Sequence, residues 1–159
     1  MSDLNTKKDY YNRYSYLTSR FLADLEDGLK HFDPTINTVQ QRHILNSICY
    51  SFCKLEQYVL DLCETYLVSN DLFPNDDLTG IELVKTVAEE CKEFAKYESL
   101  FINVVKLRNS DDCDQSIINL LTNNLEEFKS GIKLLTDNVC KPLISNEMSR
   151  TLKNFRIKK

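Results

Sequence analysis

The sequence predicts an all-α protein, a single helical bundle of four to five helices, two of them long. Three observations carry that reading. The 159 residues include only three Gly and three Pro, apolar residues recur at alternating spacings of three and four over most of the chain, and turn-forming clusters interrupt that pattern in few places. A chain of this length fits one domain that buries about two thirds of its unfolded surface. Residues 1–159 are therefore read as one helical domain, with a short basic C-terminal helix or tail over 142–159.

The first helix is expected from about Lys7 to His31, with Tyr11, Tyr14, Leu22, Leu25, Leu29 and Phe32 on one side. FDPTIN ends it, because Pro34 disfavours helical geometry in the residue before it, and Thr35 or Thr38 can cap the next helix. The second helix, about Val39 to Ser69, carries a heptad seam of Leu45, Ile48, Phe52, Leu55, Val59, Leu62 and Tyr66. Beside it lies another seam: Cys49, Cys53, Glu56, Leu60, Cys63 and Leu67. Two adjacent seams are too wide for a two-stranded coiled coil, so this helix should lie at the centre of the bundle.

SNDLFPNDDLTG reads as a loop, with Asp77 or Thr79 capping a third helix from about Gly80. Its face runs Ile81, Val84, Ala88, Cys91 and Ala95, then Phe94, Tyr97, Phe101, Val104, Val105 and Arg108. Periodicity allows one rod of nearly 30 residues or a bend near Lys96 to Ser99. After NSDDCD, with Asp114 as a cap, a fourth helix over about Gln115 to Asn138 presents Ile118, Leu121, Leu125, Phe128, Ile132, Leu135 and Val139. Pro142 suits the first turn of a short last helix.

A net charge of -4 argues against a dedicated nucleic-acid binder, which needs a surplus of cations to neutralise phosphates. Cys49, Cys53, Cys63, Cys91, Cys113 and Cys140 have no CxxC spacing, and His31 and His43 form no ligand pair, so no metal and no cofactor is expected. The opening MSDLNTKKDYYNRY has no apolar signal core and no run spans a bilayer. These features predict reduced thiols, a cytoplasmic or nuclear protein and no membrane partner.

Charge is uneven. From Asp61 to Glu93 there are nine acidic residues and two lysines, whereas Arg150, Lys153, Arg156, Lys158 and Lys159 close the chain with no acid among them. That tail is a candidate binding segment for an anionic partner, or a cationic last turn that offsets the helix dipole. The YYNRYSY run pairs aromatics with Arg13 and is either a stacking surface or amphipathic packing.

Two polar residues fall by helical phase on apolar faces: Glu56 in the second seam and Arg108 at the end of VVKLRN. They are read as a catalytic or ligand-binding pair, or as a structural ion pair that fixes helix register. In the second case Glu56→Ala and Arg108→Ala each destabilise the fold by several kcal/mol, the cost of leaving one partner of a buried pair alone.

ILNSICYSFCKLEQYVLDLCETYL (44–67), YESLFINVVKLRN (97–109), the acidic loop and the following amphipathic helix together resemble the HEPN proteins, over about half of the chain. These are small helical bundles, many of them metal-independent ribonucleases that dimerise to build a composite RNA-cutting site. The resemblance implies a site in which an Arg, often followed by Asn, ends a helix and a His follows after four to six residues. Arg108 and Asn109 match the first half, and Glu56 resembles the acidic residue of the facing helix. The positions where His is expected hold Cys113, Asp114 and Gln115. A thiol is a poor substitute for an imidazole that exchanges protons near neutral pH. The sequence therefore points to a non-enzymatic interaction module, a complex subunit or homodimer, as a degenerate HEPN-like protein. The alternative is an HEPN-type ribonuclease or RNA-binding toxin or defence protein.

Overall fold

A computed structural model of the chain describes the backbone of residues 2–70, 72, 78–108 and 113–157, and the side chains of 15–68, 70, 72, 78–108 and 115–138. Every element assigned among the described residues is helical. In chain order these are α1 (Ser2–His31), α2 (Val39–Ser69), α3 (Gly80–Glu90), α4 (Lys92–Ala95), α5 (Glu98–Arg108) and α6 (Cys113–Ile157). None of the helices is long and apolar enough, over its described residues, to cross a membrane.

The long helices α1, α2 and α6 pack on one another, and α3 to α5 fold over the remaining side of α2 and α6. Helix α2 has the central place expected of its two seams. Ile48, Phe52, Leu55, Val59 and Leu62 are buried, and so are Glu56, Cys63 and Leu67 of the adjoining seam. From α1, Leu25 enters the same core while Leu22, Leu29 and Phe32 pack at its edge. Tyr11 and Tyr14 lie outside the described side chains.

A polar clasp holds α1 to α2. Asp33 Oδ1 accepts from the backbone N–H of Thr35 at 2.9 Å and from its hydroxyl at 2.7 Å. These two bonds hold the Asp33 carboxyl below its usual range. Gln41 Oε1 accepts from the Asp33 N–H at 2.8 Å, and its Nε2 donates to the His31 carbonyl at 3.2 Å. Of the two threonines able to cap α2, Thr38 does so, its hydroxyl accepting from Gln41 N–H at 3.2 Å. Thr79 starts α3 with a reciprocal capping box to Glu82.

Three differences from the sequence reading have local causes. The stretch after Gly80 is neither one rod nor a singly bent one, since it breaks at Cys91, with φ -117 and ψ 99, and again at Lys96–Tyr97. The first break shifts helical phase, so Phe94 turns fully inward while Ala95, expected inside, is exposed. Leu83 and Val87 are buried with Val84 and Ala88 on α3.

Helix α6 is kinked at Asn124 (φ -132, ψ 21), whose amide donates to the Leu120 carbonyl at 3.1 Å. Before the kink Ile117 is buried and Ile118, expected on the apolar face, is only half-buried, whereas Leu121, Phe128, Ile132 and Leu135 are buried as expected. Asp114, expected as a cap, falls inside the helix. The third difference is that α6 continues through Pro142 to Ile157, where a separate short helix was expected. A proline inside a helix removes one donor and strains the preceding turn, and it need not separate the two halves. The structure thus has three long helices and six in all among the described residues, against two long ones in a set of four to five.

Four phenylalanines cross the core. Phe94 and Phe101 stack with centroids 5.6 Å apart, Phe101 and Phe128 at 5.8 Å, and Phe128 and Phe52 at 6.0 Å, tying α4, α5, α6 and α2 together. Gly131 makes this approach feasible, because a Cβ there would sit 2.8 Å from Phe101 Cζ and closer still to Cε2. Gly131→Ala is expected to lower stability by about 1–3 kcal/mol despite the better helix propensity of alanine, because the ring has no free space to retreat into. A urea midpoint equal to that of the native chain would refute the close approach.

Candidate functional site

Helices α2 and α5 bring the two polar residues on their apolar faces into contact. Arg108 is the last residue of α5, and its Nε lies 3.8 Å from Oε2 of Glu56, with side-chain exposures of 43% and 8%. The carboxylate is sunk in the apolar face of α2, while the guanidinium caps it from the solvent side. Burial raises the Glu56 carboxyl above its ordinary range; Arg108 opposes that shift and Asp61 adds to it. Cys53, one turn before Glu56, feels the same surroundings. Its thiol is pushed up by burial, drawn down by Arg108 and pushed up by Glu56.

This arrangement can hold register, bind an anion through the outer guanidinium nitrogens, or take a proton at Glu56. Acid-base cleavage of RNA needs more. His43 lies in the exposed first part of α2, about 20 Å along the helix from Glu56 at 1.5 Å per residue. His31 is exposed at the end of α1, its Nδ1 2.8 Å from the Asp27 carbonyl oxygen. Among the described residues, then, no imidazole stands beside the pair. Asn109 lies outside the described residues, Cys113 and Asp114 are described only as backbone, and Gln115 is exposed.

Of the basic tail, Arg150, Lys153 and Arg156 belong to the backbone of α6, and Lys158 and Lys159 lie beyond the described residues. No group of three metal-ligating side chains occurs among the described residues. Cys63 is buried with its thiol pushed up to about 12, as befits a packing residue rather than a nucleophile. Half-buried Cys49, Cys53 and Cys91 form no disulfide among the described residues.

Two surface features escaped the sequence reading. On the outer α1–α2 seam, Phe21 meets Tyr50 at 6.0 Å and Tyr58 at 5.9 Å, and Lys54 Nζ lies 5.7 Å from the Tyr50 ring centre. Tyr50 is 59% exposed. Next to this ridge a pocket of about 340 Å³ is lined by Asp24, Asp27, His31 and Gln40, among others. The eight-residue spacing of Tyr50 and Tyr58 was the available signal, since it places both on one face of a helix.

The second feature is a cleft of about 510 Å³ between α1 and α6, floored by the buried Thr18 and Thr136 and bordered by Lys129 and Lys133. Lys129 is paired with Glu26 and lies 3.8 Å from Glu126. Both floor hydroxyls donate to their own helix, Thr18 to the Ser15 carbonyl at 3.2 Å and Thr136 to that of Ile132 at 2.9 Å.

Comparison of the chain with protein-family models, with curated proteins and with solved structures returns no match.

Proposed function

We propose that this protein is a non-enzymatic helical interaction module, a subunit that works by presenting a rigid helical face to another protein. The observation that carries this reading is the aromatic ridge of Phe21, Tyr50 and Tyr58 on the outer face of two well-anchored helices. Tyr50 is exposed and Phe21 and Tyr58 are half-buried beside it, and a surface tyrosine supplies contact area at low entropic cost and is enriched at protein interfaces. The test compares the native chain with Tyr50→Glu and Tyr58→Glu, each checked for an unchanged melt, in affinity purification from the cells that make the protein. Loss of the co-purifying protein in both variants is expected; recovery at native levels would remove the ridge from the account.

A second reading rests on a different observation. Arg108 ends a helix beside a facing acidic residue, as the HEPN resemblance implies, and so the pair is proposed as the remnant, or the working half, of an RNA-cleaving site. Incubation with total RNA separates the two readings. An uncut RNA profile is expected, and cleavage that disappears in Arg108→Ala would replace the interaction module with a ribonuclease.

A further inference from the structure

The aromatic ridge on the α1–α2 seam is symmetric about its own middle. Tyr50 and Tyr58 stand about 12 Å apart along α2, at 1.5 Å per residue. Phe21 of α1 lies 6.0 Å from the first ring and 5.9 Å from the second, so it sits level with Lys54, halfway between the tyrosines. The charges of α1 are arranged about the same level. Arg20 and Asp24 lie one helical turn apart, on either side of Leu22 in sequence, and both are exposed. Asp24 shares the neighbouring pocket with Ser47 of α2 and so borders the seam, as does Arg20 on the turn before it. Neither charge is held in an ion pair among the described residues.

A face with opposite charges at equal distances from one level, and aromatic rings at equal distances from that level, is complementary to itself under a twofold rotation. Helices α1 and α2 run antiparallel, Gly28 facing Ile48 and Phe21 facing the two tyrosines further from the turn. An axis lying along the face, perpendicular to both helices at the level of Phe21 and Lys54, reverses each helix onto itself. It sets Arg20 of one copy opposite Asp24 of the other, twice, and Tyr50 opposite Tyr58, twice. A face built for an unrelated helix is under no such constraint. Two hairpins joined in this way place four helices side by side, the layered packing that bundles use.

We infer that the α1–α2 seam is a homodimer interface, on which a second copy of this chain docks by the same face about this axis. The inference rests on the interaction-module reading and names the partner as the protein itself. The Arg20–Asp24 contacts join opposite charges at a solvent-accessible rim, so association weakens as salt rises. Lys54 works against the contact. It lies on the axis, its ammonium 5.7 Å from the Tyr50 ring centre, and two copies bring these like charges together.

Sedimentation of the full-length chain at micromolar concentration tests this by charge exchange. Arg20→Glu and Asp24→Lys are made separately and together, and far-UV circular dichroism with a thermal melt verifies that each chain is folded. The native chain is expected at twice the monomer mass. Each single variant should associate about tenfold more weakly or worse, because like charges then face each other at both ends of the contact. An equimolar mixture of the two, and the chain that carries both substitutions, should regain the native mass, since every facing pair is again of opposite sign. Lys54→Met should tighten the dimer about threefold or more by removing the repulsion on the axis. A monomeric native chain, single variants that keep the native mass, a mixture that fails to recover, or a Lys54→Met chain that associates no better would each overturn the inference. Should it fall while a co-purifying protein is still lost in Tyr50→Glu and Tyr58→Glu, only self-association fails. Should that protein be retained as well, the interaction-module reading fails with it.

Discussion

Phe128→Ala is expected to cost about 3–5 kcal/mol, the largest loss of any single substitution considered for this chain. The ring is fully buried and touches stacked partners on both sides, Phe52 of α2 and Phe101 of α5. Truncation therefore removes the transfer free energy of the ring, leaves a cavity, and deprives two further phenylalanines of a neighbour. Those partners are held by separate helices, so the cavity cannot close without moving α5 relative to α2. Against a total stability of roughly 5–15 kcal/mol for a domain, such a loss leaves a chain that is partly unfolded under mild conditions. Urea unfolding followed by circular dichroism measures it, and Phe128→Leu should recover most of the deficit by refilling the space. A loss below about 1 kcal/mol would mean that the stack is not the keystone of the core.

The second large effect depends on pH. The folded chain holds the Glu56 proton more tightly than the unfolded chain does, because burial raises its carboxyl above 4.5. Its charged form is thus a burden on the fold at neutral pH, and Arg108 relieves part of it. As pH falls from the raised folded value toward 4.5 the carboxyl is protonated and that burden disappears, so this group makes stability rise as pH falls through the window. Arg108→Ala takes away the relief. A fully buried pair broken in this way costs about 3–5 kcal/mol, but Arg108 is 43% exposed and water screens it, so a loss of about 1–2 kcal/mol at pH 7 is expected. That is less than the sequence alone led us to expect for this residue. The deficit should shrink toward zero near pH 4, and Glu56→Gln should be at least as stable as the native chain at pH 7 with a flatter pH profile. Chemical denaturation from pH 4 to 8 tests both, and an Arg108→Ala deficit independent of pH would sink the account.

The parts of this fold that were legible in the sequence share one property: their side chains repeat with the period of an uninterrupted helix. Most of both seams of α2 and the meeting of Glu56 with Arg108 followed from phase, because a regular helix fixes each side chain's direction from its number, while turn chemistry narrowed each cap to two residues, of which Thr38 and Thr79 are the ones used. Phase fails where the backbone leaves regular geometry. Cys91 and Asn124 are neither Gly nor Pro, so nothing in their identity announced a break; Ala95, just past the first, was expected inside and is exposed, and the burial of Leu83, Val87 and Ile117 on the helices leading up to the two breaks was missed. The aromatic seam was hidden for another reason. Phe21 and Tyr50 belong to different helices, and which exposed faces become neighbours is a tertiary fact that no single helix encodes.

The clasp between α1 and α2 bears on how the chain matures. Proteins leave the ribosome N-terminus first, and contacts close in sequence form sooner than distant ones. Asp33, Thr35 and Gln41 tie the first two helices across a short connection, so this hairpin can assemble while α6 is still being synthesised. Until then Phe52 has no Phe128 to cover it, and the nascent chain carries a wide apolar stripe along α2. Helix α6 is accordingly the element that ends the period of exposure to chaperones and to aggregation, and truncations within it should be cleared by cellular quality control even though the hairpin itself is complete.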